Sequence, residues 1–212
     1  GTNSFTSVQR PWVATASITG TLQSFAIYPS LATGYGEGTY IEDIAPTPDG
    51  GFVLVGGSSP PLPGRAFLWK FDANLQPAWA RIYDDTFVRV AFGVEIASDG
   101  GYLLTGCEVA NCTDAVLVKT DDQGEVQWQR RYNLPLYNEG RDVIEQPGGG
   151  YLLLQTSVDA AGSTSYTTDL LEIDAAGELI QVTPVQGGMR STHLTRLRAV
   201  DGGFIAAGSR DD

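Results

Sequence analysis

The sequence predicts an all-β chain, a β-propeller of four four-stranded blades closed by strands from both termini. Three observations lead to this reading. A glycine turn recurs at Asp49-Gly50-Gly51, Asp99-Gly100-Gly101, Gly148-Gly149-Gly150 and Asp201-Gly202-Gly203, at spacings of 50, 49 and 53 residues, and each turn is followed by an aromatic residue: Phe52, Tyr102, Tyr151 or Phe204. A period near fifty residues marks a supersecondary unit that cannot bury its faces alone. Each unit holds four short β-type segments, and four-stranded units in series read as blades. The chain also begins and ends inside a unit.

The segments follow in order. Residues 12–18 and 22–28 match the third and fourth strands of a unit. The three internal blades span about 40–83, 88–132 and 140–185. Residues 193–209 supply a first and second strand, which 12–28 complete. In the second blade the strands are expected at 90–97, 101–106, 115–120 and 125–132. β-branched and aromatic enrichment with Gly and Asp punctuation argues strand throughout. The second segment is apolar almost throughout, so both its faces are covered. The fourth alternates and is charged, so it lies at an edge. No convincing amphipathic helix appears. Sharing one blade between the termini would satisfy edges that an open array exposes; a piece cut from a longer array would carry the same phase.

The turns from third to fourth strand read Asp72-Ala73-Asn74-Leu75, Asp121-Asp122-Gln123-Gly124 and Asp174-Ala175-Ala176-Gly177. An Asp here bonds backbone amides two residues on, and Gly accepts a positive φ. Structure, rather than catalysis, accounts for these carboxylates.

The 212 residues are 42% hydrophobic, enough for a substantial core in a single domain over 1–212. The formal net charge is −12, and Lys70 and Lys119 are the only lysines. Such a surface repels phosphate backbones and anionic membranes, so no nucleic-acid partner is expected. No apolar run of eighteen residues occurs, so no membrane insertion is expected either. The chain begins at Gly1 without a signal peptide, which reads as a mature or recombinant form. No cofactor is expected. Calcium would suit the acidic composition, but no D-x-D-x-D-G loop supports it.

Cys107 and Cys112 enclose four residues. The choice lies between a short disulfide clipping a loop and two free thiols, and the disulfide is the better reading. It would suit an oxidising, extracellular or cell-surface location. Asn111-Cys112-Thr113 fits the N-glycosylation pattern.

The stretches Ser98-Asp99-Gly100-Gly101-Tyr102-Leu103-Leu104-Thr105-Gly106 and Asp114-Ala115-Val116-Leu117-Val118-Lys119-Thr120-Asp121-Asp122-Gln123-Gly124 are followed by Trp128 and Tyr132. The stretch Trp69-Lys70-Phe71-Asp72 leads to Trp79 and Tyr83. This pattern resembles the repeats of a widespread set of bacterial and archaeal secreted β-propeller proteins, over nearly the whole chain. The resemblance implies a secreted or surface-exposed propeller and no one activity. The last repeats depart from it: Gln181 stands for the Trp, Val185 for the Tyr, and Arg196 for an apolar residue aligned with Ile44, Val94 and Val143.

In such a ring one face carries the short, stereotyped turns. The other carries the long, unlike loops, and variable loops on a rigid scaffold are where binding residues collect. The candidate ligand-binding residues on that face are Tyr35, Asp84, Asp85, Phe87, Arg89, Tyr137, Arg141, Arg190 and His193, with Glu37 and Glu139 nearby. Exposed tyrosine with arginine and acids suits a recognition surface for a protein or a glycan. No catalytic residue is assigned and no enzyme is expected. There is no G-x-S-x-G, and nothing singles out partners for His193, which reads as a solvated loop residue.

The expected function is a non-catalytic binding or structural module, with self-assembly through end strands as one form of it. A carbohydrate-binding lectin is an alternative. Its stacking would fall to loop tyrosines, because Trp12, Trp69, Trp79 and Trp128 all sit on predicted strands, where packing is their expected role. A sialidase-like glycoside hydrolase is a weaker alternative; it would draw on Arg141, Arg190, Arg196 and Arg198 approaching one channel mouth.

Overall fold

A computed structural model describes residues 10–29, 38–58, 64–84, 86–108, 112–134, 137–158, 166–185 and 192–210; the side chains of 192, 193 and 210 are outside that description. Within it lie sixteen strands and no helix. An N-terminal hairpin pairs β1 (Trp12–Ala16) with β2 (Leu22–Ile27). The first four-stranded sheet follows in meander order: β3 (Thr39–Pro46), β4 (Phe52–Ser58), β5 (Ala66–Phe71) and β6 (Pro77–Tyr83). The second sheet has β7 (Val90–Ile96), β8 (Tyr102–Cys107), β9 (Ala115–Thr120) and β10 (Val126–Tyr132). The third has β11 (Tyr137–Glu145), β12 (Tyr151–Val158), β13 (Tyr166–Ile173) and β14 (Leu179–Pro184). A C-terminal hairpin pairs β15 (Thr192–Val200) with β16 (Gly203–Arg210). All pairing is antiparallel.

The sheets stack in series because side chains alternate across each strand. On β4, Val53 and Val55 join Val94, Leu104, Val116 and Val118 of the second sheet, while Leu54 joins Val13 and Tyr28 of the N-terminal hairpin. On β8, Leu104 belongs to the first of these cores and Leu103 to the next, with Val143, Leu153 and Leu171. Leu197 of β15 packs with Ile144, Leu152, Leu154 and Leu170. The first strands, β3, β7, β11 and β15, are successive neighbours.

One seam chemistry recurs. Trp79 and Arg81 of β6 lie over Gly124 in the second sheet, and Trp128 and Arg130 of β10 lie over Gly177 in the third. A Cβ on Gly124 or Gly177 would come within about 3 Å of the tryptophan ring. Arg81 pairs with Glu125 and Arg130 with Glu178, both at 2.9 Å. At the seam of the N-terminal hairpin the volumes are exchanged. Ser24 takes the tryptophan's place and Leu75 the glycine's, and Leu75 is buried with Val13 and Tyr28. Leu75 keeps the glycine's conformation, with φ of 62° against 77° and 85° at Gly124 and Gly177.

Two expectations need correction. Arg196 does not occupy an apolar position. The β15–β16 turn is one residue shorter than its counterparts, because Ala199 pairs with Phe204 where Pro46 pairs with Phe52. Leu197, fully buried, therefore stands with Ile44, Val94 and Val143, and Arg196 stands with Asp43, Gly93 and Asp142. Trp12 is not a packing residue; it is 62% exposed beside Phe25. Among the described residues no ladder joins β1 to β16, and the terminal hairpins stand as separate two-stranded sheets.

Candidate functional site

Each innermost strand carries a bulge at one equivalent place. The ladder skips Glu42 on β3, Phe92 on β7, Arg141 on β11 and Thr195 on β15. A bulge re-aims the side chain it frees and is often found beside binding sites. These four residues, with Arg196, line a single cavity of about 260 Å³. Four sequentially remote strands thus meet around one space, which we call the channel mouth. The bulges fall in the first half or at the middle of their strands, toward the end at which the inter-sheet connections arrive.

The charges there are mostly committed. Arg141 pairs with Glu139 and stacks on Phe92, its guanidinium carbon 4.7 Å from the ring centroid. Arg196 reaches across from β15 to β3, donating to the Glu42 carbonyl at 3.2 Å and lying 3.4 Å from Asp43. The Glu42 carboxylate, by contrast, has no hydrogen bond or ion pair of its own among the described residues. Burial raises its pKa above the usual carboxylate value, against the pull of Arg141 and Arg196.

Beneath the mouth, carboxylates cap the free inner edges. Asp43 accepts from the Val94 amide at 3.2 Å, and Asp142 accepts from the amides of Val143 at 3.0 Å and Leu197 at 2.8 Å. At the equivalent position Gly93 leaves no room for a carboxylate; a Cβ there would lie 2.8 Å from the Arg141 carbonyl. Asp142 also holds Arg198 at 3.0 Å. Burial raises the pKa of the Asp142 carboxyl.

The residues singled out from sequence do not form one cluster. Arg141 lies at the channel mouth. Asp84, Phe87 and Arg89 cluster at the connection between β6 and β7: Asp84 binds Arg65 at 2.8 Å and its carbonyl accepts from Arg89 at 3.3 Å, while the Phe87 amide donates to Gln129 and Arg131 covers the Phe87 ring. Tyr137 opens β11, half-buried opposite Val158, so it is a strand residue and not a loop residue. His193 likewise has its backbone on β15, paired with Ser209, which corrects its reading as a loop residue. Tyr35, Asp85 and Arg190 lie outside the described residues.

Cys107 and Cys112 form the expected disulfide. Glu108, inside the loop it closes, and Asp114, just after that loop, both approach Arg131, at 2.8 and 3.9 Å. Among the described residues no group of three or more His, Cys, Asp or Glu side chains is placed to hold a metal ion. No helix there is long and apolar enough to cross a membrane.

Sequence reasoning missed Glu42, Phe92 and Thr195. They share a position but no chemistry, so the repeat pattern does not mark them. The signal that could have found Glu42 and Phe92 is the spacing of seven residues ahead of Asp49 and Asp99 that Arg141 also keeps from Gly148; Thr195, six residues ahead of Asp201, breaks it. Compared by sequence, the chain matches no protein-family model and no curated protein.

Proposed function

We propose that the chain is a secreted or cell-surface four-bladed β-propeller that works without catalysis, binding a partner through the end of the ring where the innermost strands begin. The observation that carries this reading is the set of equivalent bulges at Glu42, Phe92, Arg141 and Thr195. The scaffold repeats there while the chemistry does not, which is the pattern of a rigid frame presenting a specific surface. Arg196 supports a ring, because it links the last innermost strand to the first. The disulfide is compatible with an oxidising location.

The glycosidase alternative gains little support, because Arg141 and Arg196 share a cavity but are each matched to a carboxylate. Nor does a specific contact favour a lectin.

The test is a selection of peptides from a random displayed library against the immobilised full chain, with a glycan array run alongside. Binders should be lost or weakened at least tenfold by Phe87→Ala or Tyr137→Ala, and kept by Asp72→Asn on the opposite face. Binders indifferent to both loop-end changes, or glycan or ester turnover by the purified chain, would sink the reading.

A further inference from the structure

The channel mouth sets three carboxylates, Glu42, Asp43 and Glu139, against two guanidiniums, Arg141 and Arg196. Glu139 answers Arg141, and Asp43 answers Arg196. The remaining hydrogen bonds of Arg196 go to the carbonyls of Thr195 and Glu42. Left over are the Glu42 carboxylate and the Thr195 hydroxyl, which has no hydrogen bond of its own among the described residues. Both are acceptors, and they border the same cavity.

We propose that this cavity receives one basic side chain, the ammonium of a lysine or the guanidinium of an arginine, from a partner polypeptide, with Glu42 as counter-ion and Thr195 as second acceptor. The inference rests on the loop-end binding reading and names the partner's chemistry. An anion would meet the unmatched carboxylate. A cation completes a third pair beside the two already made. The volume, about 260 Å³, falls below the roughly 300–1,000 Å³ usual for small-molecule pockets, which suits a single inserted side chain.

Charge works in the same direction at longer range. A molecule of net charge −12 draws basic partners and speeds their encounter, most of all at low salt. Glu42 is itself exposed, so water screens the pair and its gain depends on the hydrogen bonds it makes. Thr195 and the carboxylate together offer three acceptor oxygens, enough for the three donors of an ammonium. A bound cation also favours the ionised form of Glu42, so its titration moves down on binding.

The test uses the full chain, labelled for amide NMR, titrated separately with Nα-acetyl-arginine amide, Nα-acetyl-lysine amide and the uncharged Nα-acetyl-norleucine amide. The expected result is a saturable shift at the amides of Glu42, Phe92 and Thr195 with the basic probes only. Glu42→Gln should weaken it tenfold or more, and Thr195→Val about threefold, with amide spectra otherwise unchanged. Absence of a saturable shift, an equal response to norleucine, or full binding by both variants overturns the proposal. If basic probes instead shift the amides of Asp84, Phe87 and Tyr137, and still do so in Glu42→Gln, the cavity assignment fails while loop-end binding stands. If the displayed library also yields no binder, both fail.

Discussion

The hydroxyl of Tyr28 donates to the carbonyl of Leu75 at 2.6 Å, and the same bond recurs from Tyr83 to Gly124 and from Tyr132 to Gly177, each at 3.0 Å. Each tyrosine ends the outer strand of one unit and reaches the outer turn of the next. The bond therefore ties neighbouring units from within the apolar clusters they share. It also shows that β1 and β2 are seated on the first sheet as each full sheet is seated on the next.

These bonds have a measurable worth. Tyr83 and Tyr132 are buried, and burial raises both phenols well above their ordinary pKa, so each is a neutral donor at any physiological pH. Tyr83→Phe or Tyr132→Phe removes the hydroxyl and leaves a buried carbonyl without its donor. Each should cost about 1–2 kcal/mol. Urea denaturation of the single variants and the double variant measures this. Because the two sites lie at different seams, their effects should add to within about 0.5 kcal/mol. A loss near zero for both would mean that water replaces the hydroxyl.

Much of the fold is legible in the sequence for a simple reason. Turns demand particular residues, and the Asp-Gly-Gly and Asp-x-x-Gly turns fix where strands begin and end. Residues 115–120, expected as one strand, form β9 without a shift at either end. The tryptophan at Trp79 and Trp128 also marks its register, because only a glycine opposite leaves room for the ring. What escapes notice is a change in turn length with no change in turn residues. Asp201-Gly202-Gly203 looks like the other turns, yet the turn it makes is one residue shorter, and that moves Arg196 from an apolar position to the shared cavity. The bulge residues escape for a related reason. A bulge is a property of pairing, and nothing in Glu42 or Thr195 alone announces it.

The inner turns should make the protein sensitive to acid. Lys70, 9% exposed at its side chain, pairs with Asp49 at 2.8 Å, and Lys119 pairs with Asp99 at 2.7 Å. Hydrogen bonds from these lysines, above all, hold both carboxyls below the ordinary range. The third sheet has Gly148 at the turn and Glu172 on the strand, and so lacks both partners. A carboxyl whose folded pKa lies below its unfolded value, near 4, stabilises the fold above that value. The contribution disappears as pH falls through the folded pKa.

Asp114, Asp142, Asp169, Glu42 and Glu95, raised chiefly by burial, act in the opposite sense. Their contribution is present at low pH and lost as pH rises through their folded values. The comparison that isolates the turns is wild type against Asp49→Asn/Asp99→Asn. The double variant should be less stable at pH 7 and lose less between about pH 4 and pH 2. Parallel curves for the two proteins would refute this assignment.

The proposed ring makes its sharpest demand at the two terminal hairpins. Both lie at the gap between the third sheet and the first: β15 touches β11 and sends Arg196 to β3, and β1–β2 covers Leu54 and Phe67. Several of the exposed apolar side chains belong to the same gap. They include Trp12, Phe25 and Ile27 on one hairpin, Ile205 on the other and Ile44 on β3. Gly20, at the place where Gly124 and Gly177 meet a tryptophan, has nothing within 4 Å. In the complete sheets Leu54 pairs with Trp69 and Leu104 with Val118. Carrying that register to the ends sets Ala206 of β16 opposite Ala14 of β1. Cysteines at these two positions should therefore oxidise to an intrachain disulfide in monomeric protein, read as a loss of two mass units with no change in hydrodynamic size. Burying the exposed apolar side chains should also raise the melting temperature of the oxidised form above that of the reduced one. An interchain link instead, with covalent dimers or longer ladders, would mean that β16 of one copy pairs with β1 of another. The chain would then be an assembling subunit, with its edges satisfied by its neighbours.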